Sequence, residues 1–445
     1  MRPFLRAAFC AVGIAASMSL AGCDWISGLF QDTKQPLPGK RISVLSLDKP
    51  VAIDPKLESL RVSLPPPYVN SEWPDAGGYP SHAMYHLALN QTIKKVWDVD
   101  VGDGANDYGR VTAQPVEADG RVFAMDAMDV ISAYDTTNGK RLWRLDPKPE
   151  SAKDQTYGGG IAVAGKNVFV ATGYGQILAL DAATGKQIWR QNLSAPAHGA
   201  PTVADGRIFA VTVNNELEVL SADDGHQLWT HSGLPENASL LGAASPAVEG
   251  DIVVVPYSSG ELFGLRIENG RVLWSDNLAT ARPLGALSGI ADVRGQPVID
   301  RDRVYAVSNS GLMVAIELRT GDRVWEQDIG STHAPWAAGD FIYVLANDQD
   351  VVCLSRDDGK VRWVRELPRY VNEEKKKDPE TWTGPVLAGD RLIVISSEGQ
   401  ALSISPYTGE PLGYMDFPDG VYVTPSVADK TLYVVTDEAD LYALR

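Results

Sequence analysis

Residues 175–190 read GQILALDAATGKQIWR: an alternating apolar segment, Ile177-Leu178-Ala179-Leu180, a polar turn from Asp181 to Lys186, and a second segment that reaches Trp189. Two short apolar segments flanking a Thr-Gly turn are the pattern of a β-hairpin. The spacing of a glycine, three residues and a tryptophan recurs at Gly139/Trp143, Gly185/Trp189, Gly225/Trp229, Gly270/Trp274, Gly321/Trp325 and Gly359/Trp363. Further segments of the same kind precede each copy, such as Arg207-Ile208-Phe209-Ala210-Val211, so each unit reads as four strands.

Successive tryptophans of this series stand 38 to 51 residues apart, which matches four strands of about five or six residues with their turns, the size of one propeller blade. Helical repeats of similar length are excluded by the period-two pattern and the Asn-Gly, Asp-Gly and Thr-Gly turns. Two units are imperfect. Residues 409–413 keep the turn but place Gly413 where tryptophan belongs, and the unit that begins near Thr424 stops after three strands at Arg445. An orphan copy of the fourth strand, Lys94-Lys95-Val96-Trp97-Asp98-Val99, precedes the first full unit. It is expected to complete the last blade, which closes the ring and removes an open sheet edge. The fold expected is an all-β, eight-bladed propeller whose recurring tryptophans pack between blades.

With 445 residues, 44% of them hydrophobic and 22% charged, the chain can bury a large core. Arg2 and Arg6 precede a mostly apolar run over residues 7–20, too short for a stable membrane span, and Leu20-Ala21-Gly22-Cys23 follows. This resembles a bacterial lipobox, which implies removal of residues 1–22 and lipidation of Cys23. Residues 23–72, with Pro65-Pro66-Pro67 among several other prolines, read as a stiff tether, and residues 73–445 as the propeller. Cys10 leaves with the signal and Cys353 sits in an apolar run, so no disulfide is available and a buried structural thiol is expected. The formal charge of −17 becomes −19 without the two arginines of the signal, which argues against nucleic acid as a partner.

No catalytic constellation is evident. Asp98, Asp100 and Asp103 lack the calcium-loop spacing with a closing glutamate, and Asp348 and Asp350 read as ordinary loop carboxylates. The six histidines form no paired metal motif, although His82 and His86 would share a face if that stretch were helical. Neither a metal nor a cofactor is expected.

The sentence Ala-Leu-Asp-Ala-Ala-Thr-Gly-Lys-Gln-Ile-Trp at residues 179–189 resembles the repeat of pyrroloquinoline-quinone propellers. Two branches matter: quinoprotein dehydrogenases, and the BamB-type outer-membrane assembly lipoproteins, which use a similar ring as a scaffold. The enzymes usually carry an adjacent cysteine pair and long insertions, and this chain has neither; Trp73-Pro74-Asp75-Ala76-Gly77-Gly78 nonetheless resembles the entry to the quinoprotein ring. The BamB-type resemblance implies a non-enzymatic lipoprotein, a monomer within a hetero-complex, that binds the periplasmic domains of the central barrel insertase at the periplasmic face of the outer membrane. A quinoprotein-like enzyme and an envelope polysaccharide-binding propeller stand as the alternatives. Asp24 resembles an enteric inner-membrane retention signal, which leaves the choice of membrane open.

The same resemblance implies a partner surface on two neighbouring loops. The matching positions are Leu240, Leu241 and Gly242 in one, and Asp292 and Arg294 in the other, with Leu241 in place of an arginine and Arg294 in place of a second acid. A packing role for the two leucines beneath the ring is the alternative.

Overall fold

A computed structural model describes residues 51–57, 60–106, 109–152, 156, 158–197, 199–236, 240, 242, 244–279 and 291–445. The signal segment, Cys23 and Asp24 lie outside the described residues.

Eight four-stranded antiparallel sheets follow one another along the chain. Blade 1 comprises the strands Val116–Ala118, Arg121–Met125, Ile131–Asp135 and Arg141–Leu145, paired in that order. Blades 2 to 7 occupy residues 159–192, 202–232, 247–277, 298–327, 336–366 and 382–416. Blade 8 joins the last three strands, Ser426–Ala428, Thr431–Val435 and Asp440–Leu444, to Lys95–Asp100 from before blade 1, in antiparallel register with Asp98 opposite Tyr442. The closure expected from the orphan strand is therefore present.

The recurring motif is the joint between blades. Asp181 accepts the Thr184 N–H at 2.9 Å and its hydroxyl at 2.6 Å, which folds the turn, and Gly185 then takes φ of +70°, a conformation that favours glycine. A Cβ on Gly185 would lie 2.6 Å from the Trp143 ring of the preceding blade. The glycine of each unit is thus the seat for the tryptophan of the unit before it, as Gly225 is for Trp189 and Gly409 for Trp363. Trp143 Nε1 donates to Ala182 O in that next blade at 3.0 Å, and Trp363 Nε1 to Pro406 O at 3.2 Å. Within its own blade the tryptophan lies opposite a small residue, Ala179 for Trp189, Gly264 for Trp274 and Cys353 for Trp363, with a bulge beside each pair. This position explains the fully buried Cys353 thiol, whose pKa burial pushes up.

The imperfect unit follows the same logic. The blade after Gly413 takes its fourth strand from Lys95–Asp100, so its third and fourth strands are not joined by the recurring turn. No seat exists for a tryptophan, and nothing lies within 4 Å of a Cβ at Gly413.

One segment belongs to no blade. Residues 70–87 circle one end of the ring and bond to every blade in turn. Asn70 Nδ2 donates to Val427 O in blade 8 at 2.5 Å, and Trp73 exchanges two main-chain bonds with Glu117 in blade 1. Val163 of blade 2 donates to Pro74 O at 2.8 Å, and Val203 of blade 3 to Asp75 Oδ1 at 3.1 Å. Val248 of blade 4 donates to Pro80 O and Ile299 of blade 5 to Ser81 O, at 2.7 and 2.8 Å. Trp336 Nε1 of blade 6 donates to Tyr85 O at 2.7 Å, and Leu87 exchanges bonds with Leu387 and Gly389 of blade 7. Every partner on blades 1 to 5 lies in the innermost strand, so this strap covers one mouth of the axial channel.

The segment ahead of the strap also lies on the ring. Val62 is buried, the Arg362 guanidinium donates to Leu60 O at 2.7 Å, and Asp54 N donates to Val361 O at 2.9 Å. Residues 60–72, expected as the end of a free tether, are instead bound to blades 6 and 8, because their apolar side chains and carbonyls find partners there. The charged residues 373–378 belong to a short added hairpin of strands Tyr370–Asn372 and Lys377–Pro379.

Candidate functional site

The strap turns the axial channel into a cavity of about 150 Å³ with a floor. Its walls are the residues just ahead of the innermost strands, including Gln114 from blade 1, Arg294 and Gln296 from the approach to blade 5, and His333 from the approach to blade 6. Trp73, Gly77 and His82 contribute from the strap. Gln114 knits floor to wall: its Oε1 accepts the Gly77 N–H at 2.6 Å and its Nε2 donates to Thr424 O at 3.0 Å. Burial holds both imidazoles neutral, pushing His82 down to about 4 and His333 to about 3, the latter helped by the Arg294 charge.

The residues expected at a partner surface occupy three different settings. The Leu240 N–H donates to Asp292 Oδ2 at 3.1 Å, so the two connections meet as neighbours. Asp292 itself is 4% exposed, and burial raises its pKa despite that bond and the nearby Arg294 charge. It lines a second cavity of about 30 Å³ beneath the connections, together with Gly242, Asn215 and Tyr257. Gly242 has φ of +84°, and a Cβ there would stand 3.3 Å from Arg294 Nε. Arg294 faces the axial cavity, since the chain turns inward two residues after Asp292 to start blade 5. Leu240 is partly buried, and Leu241 lies outside the described residues. Leu234, not singled out in the sequence, is 58% exposed on the same connection, which is pinned where Asn215 Nδ2 donates to Leu234 O at 2.7 Å.

His82 and His86 lie in the strap, which is not helical, and serve separate bonds. His86 Nδ1 donates to Pro65 O at 2.8 Å, and its Nε2 accepts the Asp390 N–H at 3.2 Å. His82 Nδ1 donates to Pro297 O at 2.7 Å. Asp98 and Asp100 lie on the closing strand, and Asp350 pairs with Arg369 at 3.2 Å. Among the described residues, no group of three or more histidines, cysteines or acids could hold a metal ion.

Comparison with known proteins agrees with this architecture. A family model described as outer membrane protein assembly factor BamB matches residues 127–365. The chain is 28% identical over 347 residues to the outer membrane protein assembly factor BamB of Shewanella oneidensis, covering 76% of this chain and 85% of that protein. Among solved structures, BamB from Moraxella catarrhalis superposes with a TM-score of 0.67 at 20% identity, over 80% of this chain and all of that one. The quinohemoprotein alcohol dehydrogenase of Comamonas testosteroni gives 0.65 at 14% identity, over 84% and 80% of the two chains, which is a likeness of fold alone. Because the family model spans more than half of the sequence, within a closed eight-bladed ring that extends on both sides of it, the chain belongs to the BamB family of outer membrane protein assembly factors.

Proposed function

We propose that this protein is a non-enzymatic scaffold of the outer-membrane β-barrel assembly machinery, anchored by a lipid on Cys23 at the periplasmic face of the outer membrane. The observation that carries this reading is the match of the propeller to relatives named as outer membrane protein assembly factors. The connections ahead of blades 4 and 5, with Leu240 and Leu241 in one and Asp292 in the other, are the docking face for the periplasmic domains of the central insertase. Asp292 acts there by tying the two connections together, and exposed Leu234 and partly buried Leu240 supply apolar contact of the kind that anchors interfaces. Gly242 gives the first connection its left-handed turn, and Arg294 backs it from the axial side.

The test is capture of tagged full-length protein from detergent-solubilised membranes of its own host. The barrel insertase is expected to co-purify, and a Leu234→Asp/Leu240→Asp variant is expected to lose it while keeping the thermal stability of the parent. Absence of the insertase from the wild-type eluate would overturn the reading.

A further inference from the structure

We propose that the outer edge of blade 7, along residues 413–416, takes up an extended segment of a protein partner as an added strand, with an apolar side chain beside Tyr414 and a cationic one beside Asp416. This surface lies away from the connections into blades 4 and 5 and does not rest on the assembly role.

A fourth strand is paired on one side only, so alternate main-chain groups on its other side are unpaired, and edge charges or a covering segment ordinarily keep such a strand from pairing again. One place beyond the recurring tryptophan, blades 1, 2, 5 and 8 carry the charges of Arg144, Arg190, Glu326 and Asp98, and blades 3 and 4 the polar Thr230 and Ser275. Blade 6 has Val364 there, but the chain itself covers that edge: Asp54 N donates to Val361 O of the same strand at 2.9 Å. Blade 7 has neither protection. Its fourth strand, Pro411–Asp416, places Tyr414 at that position, and among the described residues no segment pairs with its outer side.

Tyr414 is 73% exposed and Leu412 is 59% exposed. The register slips at Leu412, which leaves residues 413–416 as the regular part of the edge, with Tyr414 and Asp416 on one face. Nothing lies within 4 Å of a Cβ at Gly413, so an incoming side chain finds open space beside it. A tyrosine facing a β-branched residue across a strand pair is a favourable contact, and a tyrosine loses little rotamer freedom on docking.

Charge selects the occupant. Asp416 ends the strand, and in the neighbouring blade Asp100 stands directly opposite Asp440. Burial and the charges of Asp100, Asp419, Asp98 and Glu438 raise the pKa of Asp440. Among the described residues, the only ion pair made by these six carboxylates is Lys95 to Asp98 at 2.9 Å. A second copy of the chain would bring another formal charge of −17 to this sector, whereas a basic segment is attracted to it.

The probe is the labelled peptide Lys-Thr-Val-Thr-Val-Thr-Lys, titrated with the full chain in detergent and read by fluorescence anisotropy. Saturable one-to-one binding is expected, about tenfold tighter than that of Glu-Thr-Val-Thr-Val-Thr-Glu. Lys-Thr-Pro-Thr-Pro-Thr-Lys keeps the charge without the strand and is expected not to bind. Tyr414→Lys places a charge on an exposed position, and is expected to keep the parent's melting temperature while weakening the lysine peptide about tenfold. Asp416→Lys is expected to erase the preference for lysine over glutamate. No saturable binding of the lysine peptide, equal binding of the proline peptide, or unchanged binding by Tyr414→Lys would overturn the proposal. So would a dimer of the unliganded chain in sedimentation that Tyr414→Lys dissolves, since the edge would then belong to a second copy. If Tyr414→Lys does not fold, the three peptides on the parent and on Asp416→Lys decide.

Discussion

The main-chain N–H of Leu240 donates to the carboxylate of Asp292 at 3.1 Å, across 52 residues of sequence, and thereby fastens the connection into blade 4 to the connection into blade 5. Asp292→Ala removes the acceptor and is expected to loosen both connections together. A single bond to a charged acceptor contributes about 1.5–3 kcal/mol, a shift of a few degrees in a large ring. Insertase capture should fall while the ring stays folded. A melting temperature lowered by far more than a few degrees would assign Asp292 to the ring's core.

Trp363, 4% exposed, and Gly409, whose Cβ would lie 2.8 Å from that ring, form one joint. Trp363→Ala should cost about 3–5 kcal/mol and Gly409→Val should be destabilising through both the clash and the positive φ. Their double variant should cost less than the sum, since each change already opens the same seam. Urea unfolding midpoints measure this, and strict additivity would count against the joint.

Glu117 is pushed up to about 8 by burial, reinforced by the charges of Glu72, Asp429 and Asp119, and one of its oxygens has no partner. Between the ordinary value of 4.5 and 8 the folded protein holds a proton that the unfolded chain releases, so this group's contribution to stability declines as pH rises through that window. Glu117→Gln is expected to raise the melting temperature at pH 8.5 and to leave it nearly unchanged at pH 4. An equal gain at both would show that ionisation is not the cause.

Cys23→Ala is expected to move the protein from the membrane pellet into the soluble periplasmic extract with the ring intact. Fractionation of the wild type on a density gradient tests the effect of Asp24, with the outer-membrane fraction expected. Persistence of the alanine variant in the pellet would remove the lipid from the account.

Supplied with pyrroloquinoline quinone and calcium, the purified protein is expected to reduce no dye with alcohols or sugars. Stoichiometric quinone binding, or dye reduction over many turnovers with a common alcohol, would favour the enzyme.

The ring was legible because its signals are local and repeated. Gly185 and Trp189 are four residues apart, and the physics that seats Trp143 on Gly185 is reused around the ring, so spacing alone exposed the blades. Lys95–Asp100 was readable as the closing strand because it keeps the tryptophan of that series. The strap was not legible, since it meets each blade through only one or two main-chain or side-chain bonds, and such bonds leave no period. Arg294 shows a further limit: residues just ahead of an innermost strand can face outward or toward the axis with the same local sequence. A signal was nevertheless available, because the cavity is lined by the equivalent short stretches of the other blades, and a lone cation among threonines, glycines and glutamines stands out once they are aligned.

The strap also determines how the molecule bears load. A pull on the N-terminal chain reaches residues 54–87 before it reaches Lys95–Asp100, so tension is shared among the strap's hydrogen bonds to all eight blades. The closing strand, which by itself would peel from its neighbour one bond at a time, lies beyond that anchorage and is spared. A ring moored at one end of its chain is thereby gripped as a whole and not unzipped from its seam.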